Sequence, residues 1–194
     1  MKKTHFLKVL LFGIAIIAFV LVSSGWVSLW ITGIAVIGND VKNYHLQSYP
    51  VDGEYTVKID LMDLGSNVGK VLYNDGENKI YVEKVLARDK SDYQVYFRSS
   101  GTYSVREATL VSGLEHAITE NGFTTRNHVN ATATYRRDSF KIYPSGSSGL
   151  NYKDGDSFGY YLFPHDKVID VDIEKDSFIE VKLSNLTMNK WKKK

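Results

Sequence analysis

Thirteen tyrosines and five histidines carry most of the chemical potential of this chain. Tyr143, Tyr152, Tyr160 and Tyr161 cluster around the run Ser145-Gly146-Ser147-Ser148-Gly149, and His165 follows in Pro164-His165-Asp166. A tyrosine offers a stacking face and a hydroxyl, which suits sugars, peptides and protein partners. These five residues are the expected binding surface. Tyrosine is also an ordinary strand residue, so packing within a sheet is the competing expectation.

Evidence for catalysis is thinner. His5, His45, His116, His128 and His165 show no His-x-x-x-His spacing for a metal. His165 sits beside Asp166, but adjacent side chains of an extended chain point apart. Glu115-His116 reads as the polar face of a helix, and His128 as a strand-edge residue near Asn127 and Asn130. The Ser/Gly run imitates a nucleophile elbow only through low complexity, and no glycine-rich phosphate loop precedes a helix. Asn151, Asp154 and Asp156 supply three oxygen ligands where calcium takes six to eight. An Asx turn is expected there. Asp170, Asp172, Glu174 and Glu180 read as one solvated hairpin face. With no cysteine in the chain, a Cys nucleophile, thiolate metal sites and disulfides are excluded. No catalytic residue, metal site or cofactor is expected.

These side chains need a scaffold, and the alternation of apolar and polar residues describes one. Tyr55, Val57, Ile59 and Leu61 alternate with Thr56, Lys58 and Asp60. Val68–Tyr73 and Ile80–Ala87 flank a turn cluster at 74–78 and make a hairpin. Tyr93–Arg98, Val129–Arg136, Phe140–Tyr143, Phe158–Phe163, Ile169–Glu174 and Ile179–Leu183 follow as further strands. Ser104-Val105-Arg106-Glu107 has the form of a capping box, and Leu110, Val111, Leu114, Ala117 and Ile118 then fit helical spacing up to Asn121-Gly122. One amphipathic helix over about 105–120 is therefore expected, with 145–149 as a flexible loop.

The N-terminal region is different in kind. Val9–Gly38 holds 30 residues without a charge behind Lys2, Lys3 and Lys8. About 20 apolar residues span a bilayer, and the preceding lysines keep that end in the cytoplasm. Trp26 and Trp30 fall where a span would meet the membrane interface. Cleavage of a signal peptide near Gly25, releasing the rest, is the alternative. An apolar helix ahead of a β-domain resembles the type IV pilins in plan, although the glutamate near the start of their helix has no counterpart in Val9–Gly38.

Residues 45–189 carry 16 basic and 21 acidic residues, a net of −5, while the flanks are basic. Basic flanks around an acidic body favour a membrane surface over nucleic acid. The expected fold is mainly β: a transmembrane helix, then an antiparallel β-sandwich or barrel-like domain with one short amphipathic helix. The expected divisions are a cytoplasmic leader at 1–8, an anchor and membrane-proximal apolar segment at 9–38, an extracytoplasmic domain at 45–189, and a basic tail at 190–194. In that tail Trp191 among four lysines reads as a third interfacial tryptophan. The expected function is non-enzymatic binding or envelope assembly with a protein or polysaccharide partner. An exported hydrolase of cell-wall or peptide material is the alternative.

Overall fold

Two long strands organise the β-domain in the computed structural model, which describes residues 2–89, 92–119, 122–164 and 169–194. β1 (Tyr44–Asp60) and β13 (Phe178–Lys193) pair antiparallel along their length, from Tyr44 opposite Lys193 to Asp60 opposite Phe178. The pairing shifts between Val51 and Glu54, facing Asn185. Gly53 (φ 123°) and Asn185 (φ 60°) take the left-handed backbone that such a bulge uses.

On the other edge of β13, residues 179–184 pair with β9 (Asn130–Tyr135) and residues 187–192 with β6 (Glu107–Ser112). β10 (Asp138–Lys141) extends β9, and β5 (Thr102–Tyr103) extends β6, completing a six-stranded sheet. A second sheet has the order β11 (Pro144–Tyr152), β12 (Gly155–Tyr161), β4 (Tyr93–Ser100), β3 (Lys79–Ala87), β2 (Val71–Asn74). β7 (Glu115–Thr119) and β8 (Gly122–Arg126) form a separate hairpin.

The alternation read in the sequence becomes the main core. Val57, Ile59, Ile179, Val181 and Leu183 from the first sheet pack with Ile80, Val82, Val95, Phe97 and Phe158 from the second. Phe163 closes one end, 5.4 Å from the Tyr135 ring in an edge-to-face contact.

Several elements depart from expectation. The helix over 105–120 is replaced by β6 and β7. Ser104 Oγ does accept from the amides of Arg106 and Glu107, both at 3.2 Å, as a helix cap would. The same bonds close a turn, however, and the Ser104 amide donates back to the Glu107 carbonyl at 2.8 Å, so the chain returns as a hairpin. Ala108 and Leu110 then alternate with half-buried Thr109, and a Cβ on Gly113 would lie 2.6 Å from the Phe158 ring. Gly122, expected as a helix stop, opens β8.

The Ser/Gly run is not a loop but most of the edge strand β11, whose pairing with β12 shifts three times. Residues 169–173 lie outside any strand; Ile169, Val171 and Ile173 pack on the core from a connection held by Tyr135, whose hydroxyl donates to the carbonyls of Asp172 and Asp176.

The N-terminal region forms α1 (Lys2–Ser23), α2 (Trp26–Thr32) and α3 (Ile34–Asn39). Among the described residues no single helix is long and apolar enough to cross a membrane; Leu10–Ser23 and Trp26–Thr32 qualify only as a pair, bent by 63°. The membrane-proximal part of that segment, 26–38, packs on the β-domain. Leu29, Ile34 and Ile37 form a second core with Ala108, Leu110, Leu150 and Trp191. Trp191 is fully buried there, which corrects its assignment to a membrane interface. Residues 190–193 belong to β13, and the Lys194 amide donates to the Asn43 carbonyl, so the tail is part of the sheet. Four neighbouring lysines concealed a core tryptophan: they occupy the outward phase and its flank.

Candidate functional site

The outer face of the second sheet gathers an aromatic and cationic surface. In strand pairing, Tyr81 of β3 lies opposite Arg98 of β4, and Arg98 opposite Ser157 of β12. In the next row Lys84, Tyr96 and Gly159 stand side by side. A Cβ on Gly159 would sit 2.8 Å from the Tyr96 ring, so the missing side chain is what lets that ring lie on the sheet.

Tyr152 crosses this face. The Arg98 guanidinium is 4.1 Å from the centre of its ring, and its hydroxyl donates to Glu83. That bond, with burial and the Glu83 charge, raises the phenol above its ordinary pKa. Arg98 also pairs with Asp154 at 2.6 Å. Lys79 lies 5.2 Å from the centre of the Tyr81 ring, and Lys84 4.8 Å from that of Tyr96. Flat rings, cations and half-buried hydroxyls therefore share one sheet face, the chemistry that stacking and charge-assisted hydrogen bonding require.

Of the five expected binding residues, the sheet brings Tyr152 and Tyr161 to this face. Tyr143 is exposed in the β10–β11 connection, with Lys141 5.8 Å from its ring centre. Tyr160 is only 1% exposed and points into the core, opposite in phase to Tyr161. Its hydroxyl meets the Asn127 side chain, and burial pushes its pKa up to about 12. Tyr160 is a packing residue and not part of this face. His165 lies outside the described residues. Tyr81, Tyr96 and Arg98, which the tyrosine and histidine clustering did not single out, share this face, each in the polar phase of its strand.

A second cluster is buried at the junction of the two cores. His116 Nε2 lies 2.7 Å from Asp156 Oδ2, and both side chains are fully enclosed. Ser112 Oγ is 2.7 and 2.8 Å from the two Asp156 oxygens and accepts from the Leu114 amide at 3.0 Å. Asn189 accepts from the His116 amide at 2.8 Å and donates to the Leu114 carbonyl at 2.9 Å. The His116 ring is 5.7 Å from that of Trp191. His116 is therefore a core residue, not part of a solvated helix face.

Ser, His and Asp thus meet in space, but not in the order of a nucleophile relay. There the histidine bridges serine and aspartate. Here Asp156 is the hub, and the serine hydroxyl donates to it. With Asp154 held by Arg98 and Asp156 by Ser112 and His116, the two carboxylates do not converge on a shared cation. His128 sits at the surface, its Nε2 2.9 Å from Glu115. Compared with known proteins, the chain matches no family model, no curated protein and no solved structure.

Proposed function

We propose that the protein is a membrane-anchored, extracytoplasmic β-domain that binds a cell-envelope partner without chemically altering it. One observation carries this reading: from Val9 onward α1 is apolar on all sides and leaves the folded body bare. Leu10, Leu11, Phe12, Ile14, Ile17, Phe19 and Val22 are 48–73% exposed. Monomeric soluble proteins seldom leave so much contiguous apolar surface in water. A bilayer would cover it, with the basic leader on the cytoplasmic side. The ligand face is then the outer surface of the second sheet, around Tyr81, Tyr96, Arg98 and Tyr152. The hydrolase alternative finds no support in Ser112, His116 and Asp156, which are enclosed and wrongly ordered.

A photo-crosslinking amino acid placed at Tyr96 tests the ligand face in cells. An adduct of raised mass is expected from position 96 and from position 81, and none from Thr132 on the outer face of the first sheet. Adducts from 132 alone would overturn the assignment, as would silence at 96 and 81 in a protein shown to be folded.

A further inference from the structure

α2 carries two faces with different destinies. Leu29 is 5% exposed and packs into the second core, whereas Trp26, Trp30 and Ile31 are 53%, 75% and 59% exposed on the other side. α1 itself is short for its task. From Phe6 to Ser23 it rises about 27 Å at 1.5 Å per residue, a little under a hydrocarbon core of about 30 Å. Such a mismatch draws flanking residues into the interface. The chain then bends by 63° into α2, turning that helix toward the membrane plane when α1 stands upright.

Cations frame the same corner. Lys153 Nζ lies 5.3 Å from the centre of the Trp30 ring. Lys193 lines a cavity of about 260 Å³ with Ser24, Gly25, Leu29 and Tyr44, beneath the α1–α2 bend. Lys194 Nζ donates to the Val41 carbonyl at 3.0 Å, which sets it beside exposed Lys42. The Lys193 amide donates to the Arg106 carbonyl, so Arg106 adjoins them. The acids near this corner are Asp40, whose oxygens both accept from Asn43, which lowers its pKa, Glu107, opposite Lys192, and Asp154, which is paired with Arg98. Exposed tryptophans rimmed by lysines match the chemistry of an anionic bilayer surface, where rings sit among headgroups and ammonium groups face phosphate.

Resting on the anchored reading above, we infer that α2 and its basic rim form a seat that holds the β-domain against anionic lipid headgroups in one orientation. The domain does not swing on a tether, because α2 and α3 are part of its core. The ligand face is therefore presented at a fixed attitude to the membrane.

The test uses the full chain in vesicles of zwitterionic lipid, with or without one-third anionic lipid. A Trp26→Phe background leaves Trp30 and the buried Trp191 as fluorophores. Brominated lipid is expected to quench Trp30, and an environment-sensitive probe on Lys153→Cys is expected to report the headgroup region. Both signals should be stronger with anionic lipid. Charge reversal at Lys153, Lys193 and Lys194 should lower the seated population about fivefold for each residue. Alkaline extraction is read in parallel. A chain released by alkali shows that the anchored reading has failed. A chain that resists alkali while Trp30 and position 153 remain in water overturns the seat alone. Loss of exposure through cross-linked pairs of chains, without quenching by brominated lipid, would assign the face to a second copy and also overturn the seat.

Discussion

Alanine at Gly33 is expected to pull the α2–α3 unit off the β-domain. A Cβ there would lie 2.0 Å from the Lys153 carbonyl oxygen and 2.5 Å from its Cα, both backbone atoms that cannot step aside. Gly33 also has φ 75° and ψ −147°, a region close to glycine-only. The close approach serves a bond: the Ile34 amide donates to that carbonyl at 2.7 Å. Separation would uncover Leu29, Ile34 and Ile37 on one side and Trp191, Leu110 and Leu150 on the other. Strain and lost burial together imply a cost of about 3 kcal/mol or more. For a chain of this size that lowers the melting temperature by roughly 6–12 °C. Gly69→Ala is the matched control. It shares a positive φ of 84° but has open space around it, so only the strain of about 1 kcal/mol should appear. Calorimetry of the two variants separates the effects. Equal shifts would show that the contact with Lys153 contributes nothing.

The second large effect is expected at Asp156. Its carboxyl group accepts from Ser112 Oγ and lies 2.7 Å from His116 Nε2 in a site closed to water. Asp156→Ala removes both bonds and opens a void between β12, β6 and β7. Removing one partner of a buried, hydrogen-bonded Asp–His pair in this way costs about 3–5 kcal/mol. Ser112→Ala keeps the His116 bond and is expected to cost about 1–2 kcal/mol. Denaturant unfolding reads both. A loss below about 1 kcal/mol for Asp156→Ala would mean that the network is not part of what holds the two cores together.

These two sites also mark where the sequence was legible and where it was not. Tyr55–Ile59, Tyr93–Phe97 and Ile179–Leu183 show period-two alternation because one face of each strand meets a single core. That local pattern suffices to place strands and a sandwich. Beyond Asn185 both sides of β13 are covered: Leu186 and Met188 join the main core, and Trp191 joins the second. Alternation therefore fades where burial is two-sided, and the lysines suggested a solvated tail. At Ser104 only half of the capping box forms: the hydroxyl accepts from amides two and three residues on, which serves a turn as well as a helix, while the Ser104 amide donates to the Glu107 main-chain carbonyl and not to its carboxylate. Asp156 and His116 are 40 residues apart, and Gly33 and Lys153 are farther still. Such pairings depend on strand order, which no local window contains. Tyr152 was legible as a candidate because aromatics crowd its neighbourhood. Tyr96 and Arg98 became visible only once the sheet placed them across from Gly159 and Ser157.

The natural absence of cysteine allows the anchored arrangement to be tested directly. Single cysteines are introduced at Lys3 in the leader and at exposed Lys141 in the β-domain of the full chain. Intact cells are then treated with a membrane-impermeant maleimide. Labelling is expected at position 141 in intact cells, and at position 3 only after the membrane is opened. Protection of position 141 in intact cells, or equal labelling of both positions before permeabilisation, would contradict the anchored arrangement.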